Sequence, residues 1–161
     1  WENDIKKWQY SGLTLIDEIN NLKPRAVLDV GCGYNEFKGK IDNLIGIDPH
    51  NDKADIGVSI MEFRSAGKFD VILCLGSINF GGRNKIVSEV GRCVSLLEEG
   101  GTMFFRVNPG VQHNKPEAKW IEFFAWNVPF IIELSEIFNL KVLDIRDDSN
   151  QRKYFIYRKV K

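Results

Sequence analysis

The chain has 161 residues, of which 43% are hydrophobic and 27% are charged, and this length and composition are typical of one globular domain. Lysine plus arginine equals aspartate plus glutamate, at 22 each, so the formal charge at pH 7 is zero. This balance disfavours a dedicated nucleic-acid-binding protein, which usually carries a basic excess, although it permits a nucleic-acid substrate held by a local basic patch.

The cysteines and the apolar runs predict where the protein resides. Cys32, Cys74 and Cys93 are odd in number and show no C-x-x-C spacing, which favours reduced thiols over a disulfide framework or a metal site. No apolar run approaches the roughly 18 residues that span a bilayer, and the opening WENDIKKWQY lacks the pattern of a signal peptide. We therefore expect a cytoplasmic protein with no metal and no membrane partner.

The first half of the chain predicts a helical segment followed by strands. Apolar residues at helical spacing cover 5–22, with a break at Ser11 and Gly12, so within a single domain we assign residues 1–24 to a helical lid and residues 25–161 to the core. Four apolar runs of strand length follow, of which the third is the weakest: AVLDV, NLIGID, ADIGVSI and KFDVILCLG. Continuous apolar runs of this length are typical of strands covered on both faces.

The second half predicts two helices and three more strands. NKIVSEVGRCVSLLEE reads as an amphipathic helix closed by a Gly-Gly pair, and TMFFRVN as a strand. Residues 117–138 are predicted to be helical, with a break or kink at Pro129. LKVLDIRD and KYFIYRK, joined by the polar DSNQ, predict an antiparallel hairpin. Strands that alternate with helices indicate a mostly parallel sheet with helices on both faces, and ligands bind such sheets outside the carboxyl ends of the strands.

The stretch between the first two predicted strands contains a Gly-Cys-Gly turn and two aspartates. Gly31 and Gly33 allow a ligand to approach the main chain closely. Asp48 ends the second strand, nineteen residues after Asp29, and a carboxylate there can accept hydrogen bonds from both hydroxyls of a ribose. The combination predicts an adenosine-containing ligand, and the alternative is a tight turn with a structural role alone.

The residues after this turn bear on which adenosine ligand is bound. A dinucleotide site needs a third glycine and a helix N-terminus for the pyrophosphate. Asn35 and Glu36 stand where that glycine would fall, the Glu36 carboxylate would repel a phosphate, and the following helix is predicted to be short. Asp29 adds a further acidic group. These features favour S-adenosylmethionine, which has a sulfonium and an ammonium but no phosphate, over a nicotinamide dinucleotide.

At this point the chain resembles the class I S-adenosylmethionine-dependent methyltransferases. LDVGCG matches the family's D-x-G-x-G motif, IGIDP matches its second motif, FDVILCLGSINF looks like its fourth, and LLEEGGTMFFRVNPG looks like its fifth strand with the preceding helix and turn. The resemblance covers roughly residues 26–110 by motif. It implies an α/β, three-layer α/β/α fold with a Rossmann-like core. The doubly wound, mostly parallel seven-stranded sheet would have the order 3-2-1-4-5-7-6, with strand 7 antiparallel.

The resemblance also implies a set of cofactor-binding residues. Asp29 with the glycine backbone would hold the methionine part, Asp48 the ribose, and Ser59 with Ile60 the adenine. Many members carry an aspartate near position 59, where this chain has Ser59. The full set of candidates is Asp29, Gly31, Cys32, Gly33, Tyr34, Asp48, Pro49, His50, Ser59, Ile60, Leu75 and Gly76.

Catalysis of methyl transfer is expected to depend mainly on positioning. Transfer from a sulfonium is an in-line displacement, which alignment and exclusion of water promote, and a base is needed only where the acceptor must first lose a proton. No base is compelling, so His113 and Asn108 are the first catalytic candidates and Asn79 is a further candidate for orienting the acceptor. Aromatic residues near the second helix are predicted to be core, with a substrate-facing wall as the alternative: Trp120, Phe123, Phe124, Trp126 and Phe130.

The sequence narrows the acceptor by what it lacks. It has no Asn/Asp-Pro-Pro-aromatic motif after the fourth strand, no Pro-Cys nucleophile and no inserted recognition domain. We therefore expect an O, N or C acceptor on a small molecule or on an exposed group of a macromolecule. The alternative is a non-catalytic S-adenosylmethionine-binding subunit or sensor that works with a protein partner.

Overall fold

The computed structural model describes residues 14–109, 123–147 and 152–161. Within these ranges the helices are α1 (Ile16–Asn21), α2 (Arg83–Leu96) and α3 (Val128–Ile137). The strands are β1 (Val27–Val30), β2 (Leu44–Ile47), β3 (Phe69–Cys74), β4 (Leu97–Val107), β5 (Leu140–Asp147) and β6 (Lys153–Lys159). None of the described helices is both long and apolar enough to cross a membrane.

The strands form one sheet in the order β2-β1-β3-β4-β6-β5. Strand β1 pairs in parallel with β2 and β3, and β3 pairs in parallel with β4. Strand β6 is antiparallel to both of its neighbours, β4 and β5. This is the predicted order with the third strand removed, so the α/β class, the mostly parallel sheet and the antiparallel last strand are confirmed.

The third predicted strand, ADIGVSI, does not form, and the seven-stranded prediction is corrected to six strands in the described residues. Its remnant is a single parallel bridge between Ile47 and Ile56. The outer edge of β2 is satisfied in another way, because the Asp55 carboxylate accepts the Gly46 N–H at 2.8 Å and the Asp55 N–H donates to the Gly46 carbonyl at 2.9 Å. The Asp55 side chain thus accepts the hydrogen bond from a backbone N–H that would otherwise pair with a third strand.

The short helix predicted between β1 and β2 is also absent, because residues 31–43 form turns and isolated bridges. Asn35, Gly39 and Asn43 have φ values of 59°, 83° and 59°, which lie in the left-handed region. An α-helix requires right-handed backbone at every residue, so these three positions interrupt it. The end of β1 is therefore followed by turns, and no helix covers the backbone there.

Helices lie on both faces of the sheet, as predicted for three layers. Met103 and Phe105 of β4 pack on the face that α2 and α3 cover, and Phe104 packs on the opposite face. That second face is covered by Leu15 and Ile19, at the start of α1 and within it, which are 3% and 0% exposed. Alternate residues of a strand point to opposite faces, so a central strand that is apolar throughout contributes to both cores.

The later helices differ from their predicted bounds. Helix α2 ends at Leu96, because β4 begins at the next residue and pairs with β3. Of the helix predicted over 117–138, residues 117–122 lie outside the described residues and 123–127 are not helical. Helix α3 begins at Val128 with Pro129 in its first turn, so of the predicted break or kink at Pro129 the structure has the break, and the proline starts the helix. Proline is tolerated there because its missing N–H would have no helical partner. The Asn127 side chain caps this helix by accepting the Phe130 N–H at 2.9 Å.

Candidate functional site

The predicted cofactor residues gather at the carboxyl ends of three neighbouring strands. Strand β1 lies between β2 and β3, so the turn at Gly31 and Gly33, the aspartate at position 48 and the loop at 75–80 meet at one edge. Gly31 has φ +68°, and a Cβ at this position would lie 2.3 Å from the Ser77 Cβ. A side chain is therefore excluded where the turn crosses the loop after β3.

The Asp48 carboxylate organises the turn. Its Oδ2 accepts the Gly33 N–H at 3.0 Å, and its Oδ1 accepts the His50 N–H at 2.8 Å. Asp48 is half-buried. An ionised carboxylate has about four acceptor positions, so two remain after these bonds. Asp48 can hold the turn and still accept hydrogen bonds from a diol.

Two glycines leave open space beside this carboxylate and beside the end of β3. Gly33 and Gly76 have φ values of +55° and +136°, and no heavy atom lies within 4 Å of the position that a Cβ would occupy at either residue. Their backbone is therefore reachable by a ligand in a way that a side-chain-bearing residue would prevent. Together with Asp48 they form a cradle with an acidic side and an exposed main chain.

Asp29 places a buried carboxyl group beside the cradle. Asp29 is 3% exposed in β1, and burial, with a smaller contribution from the charge of Asp48, raises the pKa of Asp29 to about 7. A cation beside this carboxyl would favour its ionised form. Burial, followed by the charges of Asp29, Asp48 and Asp55, raises the pKa of the Cys32 thiol to about 12. The raised pKa keeps the Cys32 thiol uncharged near neutral pH, and its role as a cofactor contact stays a prediction.

A polar cluster behind the cradle was not predicted. The Asp55 carboxylate accepts from Gly46 N–H, from Lys38 Nζ at 3.1 Å and from Asn35 Nδ2 at 3.3 Å. Burial would raise the pKa of Asp55, but these hydrogen bonds outweigh it and the pKa is lowered. A Cβ on Gly46 would lie 2.3 Å from Asn35 Oδ1. The sequence carries no spacing signal for this cluster, because its members come from the turn, from β2 and from the failed third strand.

The residues expected around the adenine and the ribose differ in burial and in their hydrogen bonds. Ser59 Oγ donates to the Glu62 carboxylate at 2.9 Å and accepts the Glu62 N–H at 3.3 Å, so it caps a turn and keeps one lone pair. Ile60 is 4% exposed and its side chain packs in the core, which leaves its backbone for any ligand contact. Pro49 and His50 are exposed. These four roles stay predictions.

Two further candidates border the open space. Tyr34 follows the glycine turn and is 69% exposed. Leu75 comes directly after β3, is half-buried and packs against the core on the α1 face. Their roles as cofactor contacts also stay predictions.

Of the two catalytic candidates, the structure describes Asn108. Asn108 directly follows β4 and is 2% exposed. Its N–H donates to Asn79 Oδ1 at 2.9 Å, and Asn79 Nδ2 donates to the Gly76 carbonyl at 3.1 Å. The two asparagines thus tie the end of β4 to the loop after β3. The catalytic role of Asn108 stays a prediction, and His113 lies outside the described residues.

The aromatic residues near α3 divide into a core group and a partly exposed pair. Trp126 and Phe130 are 0% and 6% exposed, which confirms the core prediction for both, and Trp126 Nε1 donates to the Ile78 carbonyl at 2.9 Å. Phe123 instead pairs with Phe80, which is 37% exposed. Trp120 lies outside the described residues.

Comparison with known proteins identifies the fold. No protein-family model and no curated protein matches the chain. Among solved structures, the N-methyltransferase NodS from Bradyrhizobium japonicum is similar with a TM-score of 0.71 and 15% identity, over 96% of this chain and 98% of that chain. A second is the 1,6-didemethyltoxoflavin-N1-methyltransferase of Burkholderia thailandensis, solved with its acceptor and S-adenosylhomocysteine, with a TM-score of 0.72 and 15% identity over 92% and 77%.

A third similar structure is the magnesium protoporphyrin IX methyltransferase from Synechocystis PCC 6803 with bound S-adenosylmethionine, with a TM-score of 0.71 and 11% identity over 96% of this chain and 80% of that chain. At these identities the likeness establishes the fold. The chain has the Rossmann-like fold of the S-adenosylmethionine-dependent methyltransferases.

Proposed function

We propose that the chain is a cytoplasmic class I S-adenosylmethionine-dependent methyltransferase that moves a methyl group to an O, N or C acceptor. The observation that carries the proposal is the cradle at the ends of β1, β2 and β3. There the backbone of Gly33 lies beside the Asp48 carboxylate, and the open backbone of Gly76 lies after the end of β3. The free thiols Cys32, Cys74 and Cys93 support the reducing compartment.

The donor groups of the cradle fit S-adenosylmethionine. The remaining acceptor positions of Asp48 would bind the ribose hydroxyls, and the buried Asp29 carboxyl would face the cationic methionine end. The backbone of Gly31, Gly33 and Gly76 would contact the methionine chain. A dinucleotide fits less well, because residues 31–43 offer turns and no helix N-terminus for a pyrophosphate.

Positioning explains how the described residues would promote the reaction. The bound cofactor supplies a methyl group on a positively charged sulfur. Asp48 and the glycine turn fix one end of the ligand, and the hydrogen bonds through Asn79 and Asn108 hold the ends of β3 and β4 together beside its other end. Such rigid placement can align a donor with a nucleophile at about 3–3.5 Å. Asn108 and His113 are the residues to test for a direct role at the acceptor.

The comparisons support a small acceptor. Two similar proteins are named for the small molecules 1,6-didemethyltoxoflavin and magnesium protoporphyrin IX. This chain matches most of the length of both, and its described residues form one sheet with no second unit. An exposed group on a macromolecule is the other acceptor class that the chain would serve.

Ligand-dependent melting tests the proposal. S-adenosylmethionine and S-adenosylhomocysteine should each raise the melting temperature, Asp48→Ala should remove the shift, and the exposed control Asp52→Ala should keep it. A larger shift with NADH than with S-adenosylhomocysteine would overturn the proposal. Binding without transfer of labelled methyl to a broad acceptor panel would instead support the non-catalytic alternative.

A further inference from the structure

We propose that Phe80 and Phe123 form an acceptor subsite for a flat, uncharged aromatic or heteroaromatic ring that bears the nucleophilic O–H or N–H group. Phe80 follows β3 and Phe123 precedes α3. This inference rests on the proposed function, because it assigns the acceptor side of the same site.

The loop after β3 places this pair near the cofactor cradle. Asn79 Nδ2 donates to the Gly76 carbonyl at 3.1 Å, so the loop folds back on Gly76 just before Phe80. The Asn79 carbonyl accepts the Phe124 N–H at 2.8 Å, which brings the segment that carries Phe123 to the same loop. Both rings are therefore anchored, through Asn79, to the glycine whose backbone is open to a ligand.

The geometry of the pair is that of a surface for a third ring. The ring centroids lie 5.3 Å apart with planes tilted by 46°, and the two backbones form an isolated antiparallel bridge. Phe80 is 37% exposed, in contrast with the nearby Trp126 and Phe130, which are buried. Aromatic rings pack against one another in tilted or offset arrangements with centroids about 4.5–7 Å apart, so a ring placed on the exposed side of Phe80 can extend this pair.

Among the residues that the structure describes, the cations near the pair have acidic neighbours, which favours an uncharged ligand. Arg83, three residues after Phe80, forms a two-bond ion pair with Glu133 of α3. Lys85 lies one turn before Glu89 on α2, where burial raises the pKa of Glu89 and the charge of Lys85 opposes that rise. Each of these cations has an acidic neighbour, so neither supplies a dedicated site for a charged acceptor.

The chemistry of the step also suits an acceptor on an aromatic ring. A lone pair of the acceptor oxygen or nitrogen forms the bond to the methyl carbon while the carbon–sulfur bond breaks and its electron pair stays on sulfur. The proton of the acceptor passes to solvent water. A phenolic O–H has a pKa of about 10 and loses its proton far more readily than an aliphatic alcohol. An acceptor of this class therefore demands little of a catalytic base.

Binding of matched probes in the presence of S-adenosylhomocysteine tests the subsite. The probes are naphthol, its saturated analogue decalol and the cationic N,N-dimethylethanolamine, followed by ligand-observed NMR. Naphthol should bind the wild type more tightly than decalol, and Phe80→Leu should weaken naphthol about tenfold while leaving decalol unchanged. Ile132→Ala, which changes an exposed residue of α3 (44% exposed), should change neither.

Calorimetry with S-adenosylhomocysteine on the same proteins separates the two proposals. Phe80→Leu should bind S-adenosylhomocysteine as the wild type does. If the wild type binds no S-adenosylhomocysteine, the proposed function fails. If it does bind, and naphthol binds no better than decalol or is unaffected by Phe80→Leu, the subsite alone is overturned. If N,N-dimethylethanolamine binds more tightly than naphthol and Phe80→Leu abolishes that binding, the proposal of an uncharged ring is overturned and the subsite binds a cationic acceptor.

Discussion

The two crossovers beside the site are built in different ways. Between β1 and β2 the chain makes turns, in which the Gly33 N–H donates to the Asp48 carboxylate and the side chains of Asn35 and Lys38 donate to the Asp55 carboxylate. Between β3 and β4 the chain forms the 14-residue helix α2, which packs into the same apolar core as Trp126. The first crossover keeps backbone within reach of a ligand, and the second crossover buries apolar surface.

This difference predicts separate roles for the two crossovers, which we call the polar half (between β1 and β2) and the packed half (between β3 and β4, with the core around Trp126). Polar bonds to single N–H groups contribute about 1 kcal/mol each, whereas a large buried side chain contributes several. We therefore expect the packed half to determine the free energy of unfolding and the polar half to determine cofactor binding. Substitutions in each half can break or sharpen this contrast.

The largest effect is expected in the packed half, from Trp126→Ala. The substitution removes a fully buried ring that contacts Phe105 and Phe155 and leaves the Ile78 carbonyl without its donor. We expect a loss of about 3–5 kcal/mol in the free energy of unfolding, measured by urea denaturation. Ile132→Ala, on the exposed side of α3, should stay within about 0.5 kcal/mol of the wild type. Similar values for both variants would show that packing here is not decisive.

The next effect concerns Asp29 and pH. Its folded pKa of about 7 is above the unfolded value of 3.8, so the folded chain binds the proton more tightly. The free energy of unfolding should then fall as pH rises from about 4 to about 7 and level off above that range. Asp29→Asn should remove this pH dependence, which amounts to a few kcal/mol between pH 4 and pH 7, and should be more stable than the wild type at pH 8.

Urea denaturation at intervals between pH 4 and pH 8 measures this slope, with the exposed Asp52→Asn as the control. An unchanged pH slope in Asp29→Asn would show that another group carries the titration.

A smaller effect is expected from Asp55→Ala in the polar cluster. The buried Gly46 N–H would lose its acceptor and Lys38 would lose its carboxylate partner, at a cost of about 1–2 kcal/mol. Because the crossover is anchored there, affinity for S-adenosylhomocysteine should fall as well. The exposed Asp52→Ala is the matched control for both measurements, and equal behaviour of the two variants would refute a supporting role for the cluster.

An effect on folding no larger than that of Asp55→Ala, with a large effect on binding, is expected from Gly33→Ala. The new methyl group would enter open space, so the main cost is the left-handed backbone at φ +55°, about 1–2 kcal/mol. The same methyl group would fill the space left for the ligand and weaken S-adenosylhomocysteine binding by at least tenfold. Gly67→Ala, also with no neighbour within 4 Å but without a positive φ, should alter neither property.

Strands that are apolar throughout were predictable from the sequence, and those that depend on side-chain bonds were not. KYFIYRK forms β6 over its whole length, because a central strand buries both faces. ADIGVSI has a similar apolar content, yet the Asp55 side chain takes the Gly46 donor and leaves a single bridge. No local sequence pattern indicates that a side-chain carboxylate will accept a backbone N–H that a neighbouring strand would otherwise bind.

The placement of the candidate site residues was predictable in the same uneven way. Gly31, Gly33 and Asp48 follow strands directly, so their spacing alone places them at one edge of the sheet. The positions of Ser77 and Asn79 depend on how the loop after β3 folds against Gly31 and Asn108, and no local sequence pattern specifies that folding. The contacts that tie loops to one another were therefore missed, and those fixed by strand ends were found.

Titration calorimetry of S-adenosylhomocysteine into the wild type and Asp48→Ala tests the cofactor site most directly. We predict one ligand bound per wild-type chain, and at least tenfold weaker binding when the carboxylate that joins the turn to the ribose position is removed. No heat of binding by the wild type at millimolar ligand, or equal affinity of the two proteins, would contradict the assignment of this cradle to S-adenosylmethionine.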